Sequence, residues 1–235
     1  MDWAPLFSPA PPVVVSWVVM AVLVFAAGVL AIPRQSWKFF GVFTTLVHEL
    51  GHAFVGALFG RRVTGITVHA NHGGSARSLG RGGLGSVVSG FFGYPAPAVV
   101  GAVLLWCVFM GYTAPAFAAG TLVTILTLIF IRNWFGALAV VVSAGISALL
   151  WIYGTSAVQS YALLIIGVAL LIGSVRAFFS VVSVHTRRRG SLASSDAYLL
   201  AQRTRIPSAV WLFGFALVIG GSVYFAAQTY ISTQA

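Results

Sequence analysis

The sequence predicts an all-α polytopic membrane protein with about seven transmembrane helices and a small β-hairpin after the second helix. Hydrophobic residues make up 59% of the 235 residues and charged residues only 7%, so one globular core could not bury all the apolar side chains. The apolar residues are grouped in segments of about 20 residues, the length that crosses a bilayer as a helix. A stretch of alternating β-branched residues falls between the second and third segments.

The elements follow one another along the chain. Residues 1–12 are rich in proline and are expected to be irregular. The first apolar run follows no basic residue, unlike a signal peptide, and is interpreted as a retained helix. The remaining residues, 13–235, are expected to form one integral membrane domain. Its predicted spans are residues 13–32, 38–59, 85–110, 114–131, 133–153, 158–183 and 207–230. The division between the fourth and fifth spans depends only on Arg132 and Asn133.

The basic residues predict the orientation of the spans. With seven spans, ten arginines fall on one side of the membrane and only Arg34 and Lys38 on the other, and cytoplasmic loops are the ones enriched in Lys and Arg. We therefore expect a multi-pass protein of the cytoplasmic (plasma) membrane. Its N-terminus and the loops 60–84 and 184–206 would be cytoplasmic and its C-terminus outside. The net charge of +10 lies in these loops, which favours anionic lipid headgroups and not nucleic acid as a partner.

The second predicted span contains the sequence His48-Glu49-Leu50-Gly51-His52, with the one glutamate of the chain. An ionisable side chain at membrane depth costs about 3 kcal/mol or more, which argues for a function. His48 and His52 are one helical turn apart on the same face, where both imidazoles can bind one metal ion. Glu49 is close enough to reach a water molecule on that ion. The pattern predicts a zinc-dependent hydrolase with Glu49 as general base. The alternative is a polar cluster that hydrogen-bonds to neighbouring helices.

A third metal ligand is expected, because catalytic zinc usually has three protein ligands and one open position. Asp196 is the favoured candidate, since the chain has only three acidic residues and Asp196 lies in a loop that could dip towards the motif helix. It could instead be the N-cap of a short helix over residues 197–203. His69 and His72, in the loop after the motif helix, are the competing ligands. Asp2 is disfavoured because it lies on the terminal segment.

The loop after the second span has the pattern of a β-hairpin. Residues 63–69 alternate β-branched with other residues, and a turn rich in Gly and Asn follows. An exposed strand edge beside a metal could bind an unwound substrate by main-chain hydrogen bonds. Gly65, Ile66, Val68 and Asn71 are therefore candidate substrate-binding residues, and Asn71 is also a candidate for stabilising an oxyanion. The alternative is a hairpin that only covers the helix bundle.

Several stretches resemble the site-2 protease family of intramembrane zinc metalloproteases, most closely its compact bacterial branch without a PDZ domain. They are Thr44 to Ala53, Gly60 to Ile66, Ser89 to Pro97, and Ser195-Asp196-Ala197 leading to Pro207 and Trp211. The resemblance implies His48, His52 and Asp196 as zinc ligands and Glu49 as catalytic base. Many members carry Leu-Asp-Gly where this chain has Ser-Asp-Ala, and the family's asparagine at the end of the third-helix motif is absent here.

The expected function is that of a zinc endopeptidase, with one zinc ion, that hydrolyses a peptide bond within or near a transmembrane segment of another membrane protein. Two functions of other classes stay open from the sequence. One is a catalytically silent adaptor or chaperone that binds membrane helices. The other is a transporter that uses the His/Glu/Asp cluster for metal or proton passage.

Overall fold

The computed structural model describes residues 6–187 and 189–234, and helix dominates this part of the chain. The described residues form nine α-helices and one antiparallel pair of strands. The helices are α1 (Trp17–Ala31), α2 (Arg34–Leu58), α3 (Leu84–Phe91), α4 (Ala96–Phe109), α5 (Thr113–Thr127), α6 (Trp134–Tyr153), α7 (Ser156–Thr186), α8 (Asp196–Thr204) and α9 (Ser208–Ser232). The strands β1 (Arg62–Val68) and β2 (Gly74–Leu79) follow the second helix, so the predicted fold class and hairpin are confirmed.

Each predicted span coincides with helix, but the number of spans is revised from seven to between three and five. By length and composition, α6, α7 and α9 can each cross a membrane. The pairs α1/α2 and α3/α4 are bent by 90° and 68°, and each pair qualifies only as one broken span or a re-entrant loop. The fourth predicted span contains α5, which has 15 residues, about 22 Å of helix against a hydrocarbon core of about 30 Å. The orientation deduced from seven spans stays a prediction.

The bend between α1 and α2 is held by one cation from α7. Pro33 is the N-cap of the second helix. The guanidinium of Arg176 donates hydrogen bonds to the carbonyl oxygens of Ala31, at 2.9 Å, and Ile32. The same guanidinium lies 4.4 Å from the ring centre of Trp37 in α2, a cation–π distance. Arg176 therefore satisfies free carbonyls at the end of one helix and binds the other.

The main core lies where α4 packs against α7 and α9, and α1 packs against α7. Gly101 of α4 and Gly167 of α7 allow α4 and α7 to approach closely. A Cβ atom on Gly101 would lie 2.5 Å from the Gly167 carbonyl oxygen, so the two helices touch through their backbones, as small residues allow in membrane bundles.

The hairpin gains a third extended segment. β1 pairs with β2 from Arg62 opposite Leu79 to Val68 opposite Gly74. On its other edge, the N–H of Ile66 donates to Phe130 O at 2.8 Å, and the N–H of Arg132 donates to Ile66 O at 2.9 Å. The Asn133 side chain extends this pairing, since its amide donates to Val68 O at 2.7 Å. β1 is thus central and β2 is the outer strand.

Candidate metal centre

Two histidines from α2 face the same point. The Nε2 atoms of His48 and His52 lie 3.2 Å apart, as expected for two side chains one turn apart on one helix face. The rings are nearly perpendicular, at 85°, with centroids 4.8 Å apart. Both side chains are largely shielded, with 19% and 13% of their surface exposed.

Asp196, the first residue of α8, completes the group. Its Oδ2 atom lies 3.3 Å from His48 Nε2 and 3.2 Å from His52 Nε2. Burial by itself would raise the pKa of this carboxyl, but the His52 and His48 imidazoles lower it by more, so its pKa lies well below the usual range. The N-cap position of α8 is occupied by Ser195, so the interpretation of Asp196 as N-cap is corrected. The short helix predicted over 197–203 lies within α8.

The three ligand atoms fit a small tetrahedral cation. Ligand nitrogens about 2.0 to 2.1 Å from a tetrahedral zinc lie about 3.3 Å from one another, and the three separations here are 3.2, 3.2 and 3.3 Å. Asp196 Oδ2 is fully buried and accepts no hydrogen bond from the described residues, although buried carboxylate oxygens normally have a partner. His48, His52 and Asp196 could therefore hold a metal ion.

Contacts behind the ligands orient them. His52 Nδ1 lies 2.6 Å from the carbonyl oxygen of Ser89, which can only accept, so Nδ1 carries the proton and Nε2 keeps its lone pair for a metal. The Ser89 hydroxyl donates back to His52 O at 2.8 Å. His185 Nε2 lies 2.8 Å from the hydroxyl of Ser195, the residue before Asp196. Nothing local in the sequence around His185 signals this contact.

Two glycines make room for the group. A Cβ atom on Gly93, in the turn between α3 and α4, would lie 2.8 Å from Asp196 Oδ2 and would collide with His52 Nε2. A Cβ on Gly51 would collide with Phe92 O and Ala96. The turn from α3 to α4 can therefore lie directly against the motif helix.

Glu49 lies next to the three possible ligands and against the start of β2. Its side chain is 4% exposed, and a Cβ atom on Gly74, the first residue of β2, would lie 2.8 Å from Glu49 Cγ and collide with its carboxylate. Glu49, the three possible ligands, β2 and parts of α7 and α8 line one cavity of about 1330 Å³, here called the central cavity.

The two competing ligands, His69 and His72, are not part of the group formed by His48, His52 and Asp196. His72 has a left-handed backbone, with φ of 63°, and its Nε2 lies 3.1 Å from the carbonyl oxygen of Trp37. His69 is exposed and its backbone closes the hairpin turn. Neither belongs to a group of ligand atoms in the described part of the chain. Asp2 lies outside the described residues.

The predicted substrate-binding residues lie on β1 and in the turn that follows it. Gly65, Ile66 and Val68 lie on β1, whose two edges pair with β2 and with the 130–133 segment. Asn71 lines the central cavity, and its side-chain oxygen accepts from the N–H of Gly73 at 3.1 Å. The strand that lines the cavity is β2, through residues 74–78. The sequence analysis did not identify β2 as the strand that lines the cavity, because the alternation of residues in a hairpin does not show which of its strands is at the edge of the sheet.

A comparison with known protein families finds one match. The model of a family described as Peptidase M50B-like matches residues 16–226, a range that contains both histidines, Glu49 and Asp196. No curated protein and no solved structure matches the chain.

Proposed function

The chain belongs to the Peptidase M50B-like family of membrane metallopeptidases, and from this premise we propose that it is a zinc-dependent intramembrane endopeptidase. It would hydrolyse a peptide bond within or near a transmembrane segment of another membrane protein. The observation that carries the proposal is the spacing of 3.2 to 3.3 Å among His48 Nε2, His52 Nε2 and Asp196 Oδ2. Glu49 lines the same central cavity as these three residues.

In the proposed reaction, His48, His52 and Asp196 hold one zinc ion. Bound there, zinc would polarise the scissile carbonyl and bring the pKa of its water to about 7. Glu49 would accept one proton from the attacking water as the water oxygen bonds to the carbonyl carbon. The resulting carboxylic acid returns the proton to the leaving nitrogen as the C–N bond breaks. The second proton of the water stays on the new carboxyl group, which then ionises by losing it to the amine or to solvent, and Glu49 returns to its starting state.

The hairpin supports the binding of an extended substrate. β2 is the outer strand and lines the cavity, so an unwound segment can pair with its outer edge by main-chain hydrogen bonds. Gly74, at the start of β2, brings that edge against Glu49. Gly65, Ile66 and Val68 then act indirectly, because they belong to β1, which pairs with β2 on the side away from the substrate. Asn71 forms part of the wall of the central cavity.

The chain is an integral membrane protein by its family and its long apolar helices. We further propose the cytoplasmic (plasma) membrane as its location, with the N-terminus and the loops 60–84 and 184–206 cytoplasmic and the C-terminus outside. Anionic lipid headgroups would then neutralise the basic loops. Cleavage would take place near the cytoplasmic face.

The decisive experiment compares the wild-type protein with Glu49→Gln and His48→Ala in the same membranes. New protein N-termini are mapped in each membrane proteome, and zinc is measured on each purified protein. We expect about one zinc per chain and cleavage for the wild type, zinc without cleavage for Glu49→Gln, and neither for His48→Ala.

Two results would overturn the proposal. One is an identical set of cleaved membrane proteins with the wild type and Glu49→Gln, which would be the behaviour of an adaptor. The other is undiminished zinc in His48→Ala.

A further inference from the structure

The central cavity contains one more group that the proposed reaction can use, the phenol of Tyr94. Attack on a peptide carbonyl places negative charge on its oxygen, and a fixed hydrogen-bond donor at that oxygen accelerates acyl transfer. The sequence offered only Asn71 for this purpose. This inference rests on the proposed peptidase function.

Tyr94 is fixed beside a metal ligand by its ring. The ring lies edge-on to His48, with centroids 4.9 Å apart and planes at 89°. It also stacks on Phe215 of α9, with centroids 5.5 Å apart and planes at 25°, and Phe215 is fully buried. Two aromatic contacts at these distances hold the ring in one place, so the phenol oxygen is positioned without a hydrogen bond of its own.

The hydroxyl of Tyr94 is free among the described residues. No hydrogen bond involves it, yet it is absent from the fully buried polar atoms without a partner, which are Asp196 Oδ2 and Trp211 Nε1. Tyr94 lines the central cavity. Tyr94 is therefore an unpartnered phenol on the cavity wall that is not fully buried, and its O–H is available to donate to a group bound in the cavity.

Most other hydroxyls on the cavity wall are already engaged. Those of Thr44, Thr45 and Ser89 donate to the carbonyl oxygens of Phe40, Gly41 and His52. That of Ser75 shares a hydrogen bond with the hydroxyl of Thr67, and those of Ser78 and Ser86 accept from the guanidinium groups of Arg61 and Arg203. Ser180 has no such bond, but it lies on α7 and has no ring contact with a ligand. Of Ser180 and Tyr94, Tyr94 is the one whose side chain contacts a possible metal ligand, His48.

The other neutral donors are held away. Asn71 lies in the exposed hairpin turn, where its side-chain oxygen accepts from the N–H of Gly73, and His72 Nε2 faces the carbonyl oxygen of Trp37. A donor that acts without reorganisation during the reaction must be rigid. The core contacts of Tyr94 satisfy this condition better than a loop does.

We propose that Tyr94 is a catalytic residue whose O–H donates a hydrogen bond to the oxygen of the scissile carbonyl as negative charge develops on it. The phenol keeps its proton throughout, so the proton balance between water, Glu49 and the leaving amine is unchanged. A merely structural Tyr94 would act through its ring, which phenylalanine also provides.

The test is Tyr94→Phe, with Tyr112→Phe as the matched control because Tyr112 also stacks on an aromatic ring, that of Trp106 at 5.9 Å. With a cleaved substrate peptide, we expect kcat to fall about 100-fold in Tyr94→Phe. KM and zinc content should stay at wild-type values, and Tyr112→Phe should be normal.

A second measurement does not depend on turnover. A phosphinic analogue of the substrate peptide, which carries a tetrahedral anionic group at the scissile position, should bind Tyr94→Phe about 100-fold more weakly than wild type. Binding of the unmodified peptide to the Glu49→Gln protein should not change when Tyr94→Phe is added.

The two proposals fail in different ways. If Glu49→Gln is inactive while Tyr94→Phe keeps kcat within twofold of wild type, the inference about Tyr94 is wrong and the peptidase proposal stands. A loss of zinc in Tyr94→Phe would also refute it, because the hydroxyl would then be supporting the ligands. Cleavage by Glu49→Gln would remove the proposed function itself.

Discussion

The Oδ2 atom of Asp196 lies 3.2 Å from Nε2 of His52, although Asp196 begins α8 and His52 lies in α2. The turn from α3 to α4 lies directly beside this contact, and the two side chains can meet because Gly93 in that turn has no side chain. The contact therefore depends on a third segment as well as on the two residues themselves.

Gly93→Ala should abolish high-affinity zinc binding. Its Cβ would lie 2.8 Å from Asp196 Oδ2 and would overlap His52 Nε2, so at least one of these atoms must leave the group. We expect the zinc affinity, measured by titration against a chelator, to fall about 100-fold or more, in the range of losses seen when ligand orientation fails.

The control for Gly93→Ala is Gly220→Ala in α9, where a Cβ atom would meet nothing within 4 Å. That variant should bind zinc like the wild type. Wild-type zinc affinity in Gly93→Ala would contradict the arrangement of the three ligand atoms.

His185→Gln should weaken zinc binding more modestly. His185 contacts no ligand directly. Its Nε2 is hydrogen-bonded to the hydroxyl of Ser195, and Ser195 is the residue before Asp196. Residues that orient a ligand typically contribute about 10- to 100-fold to metal affinity, and we expect a loss at the lower end of this range. The exposed His69, changed to Gln, serves as the matched variant, and equal affinities for the two would show that the Ser195 contact does not matter.

Gly74→Ala should separate zinc binding from catalysis. The added methyl group would lie 2.8 Å from Glu49 Cγ, so the start of β2 or the Glu49 side chain must shift, whereas the histidines and Asp196 are untouched. Misplacing a catalytic group by about 1 Å can cost about 100-fold in rate. We expect kcat/KM to fall at least 10-fold at unchanged zinc content.

Gly82→Ala is the control for the hairpin variant, because a Cβ atom there would meet nothing within 4 Å. If Gly74→Ala cleaves as fast as Gly82→Ala, β2 does not set the position of Glu49.

The features that the sequence predicted are the local ones. The spacing of His48 and His52 fixes their common helix face, and the alternation of residues 63–69 indicates a strand. Asp196 was selected because carboxylates are so rare in this chain.

The bend after Ala31 was missed, since hydropathy does not register a change of direction and the cation that holds the bend, Arg176, comes from α7. The third segment of the sheet, at 130–133, was missed because it is also a long-range contact.

The charge of the central cavity predicts a preference among substrates. The arginines that line it are Arg34, Arg61, Arg77, Arg176 and Arg203, and its acidic side chains are Glu49 and Asp196 alone. Since the whole chain has 13 Lys and Arg but three acidic residues, most of these cations have no intramolecular counter-ion. A cleft lined by one sign of charge concentrates ligands of the opposite sign. Substrates with acidic residues flanking the scissile bond should therefore bind more tightly.

This preference is measured with three peptides that differ only in two flanking residues, Glu, Gln or Lys. At low salt, we expect KM to be about 3- to 10-fold lower for the Glu peptide than for the Gln peptide and higher for the Lys peptide. The differences should shrink as the salt concentration rises, because exposed charges are screened beyond about 10 Å at 0.1 M. Arg77→Gln should reduce the preference, whereas Arg62→Gln, on β1 and outside the cavity wall, should not. Equal KM values for the Glu and Lys peptides at low salt would mean that anionic lipid headgroups, and not substrate side chains, neutralise these arginines.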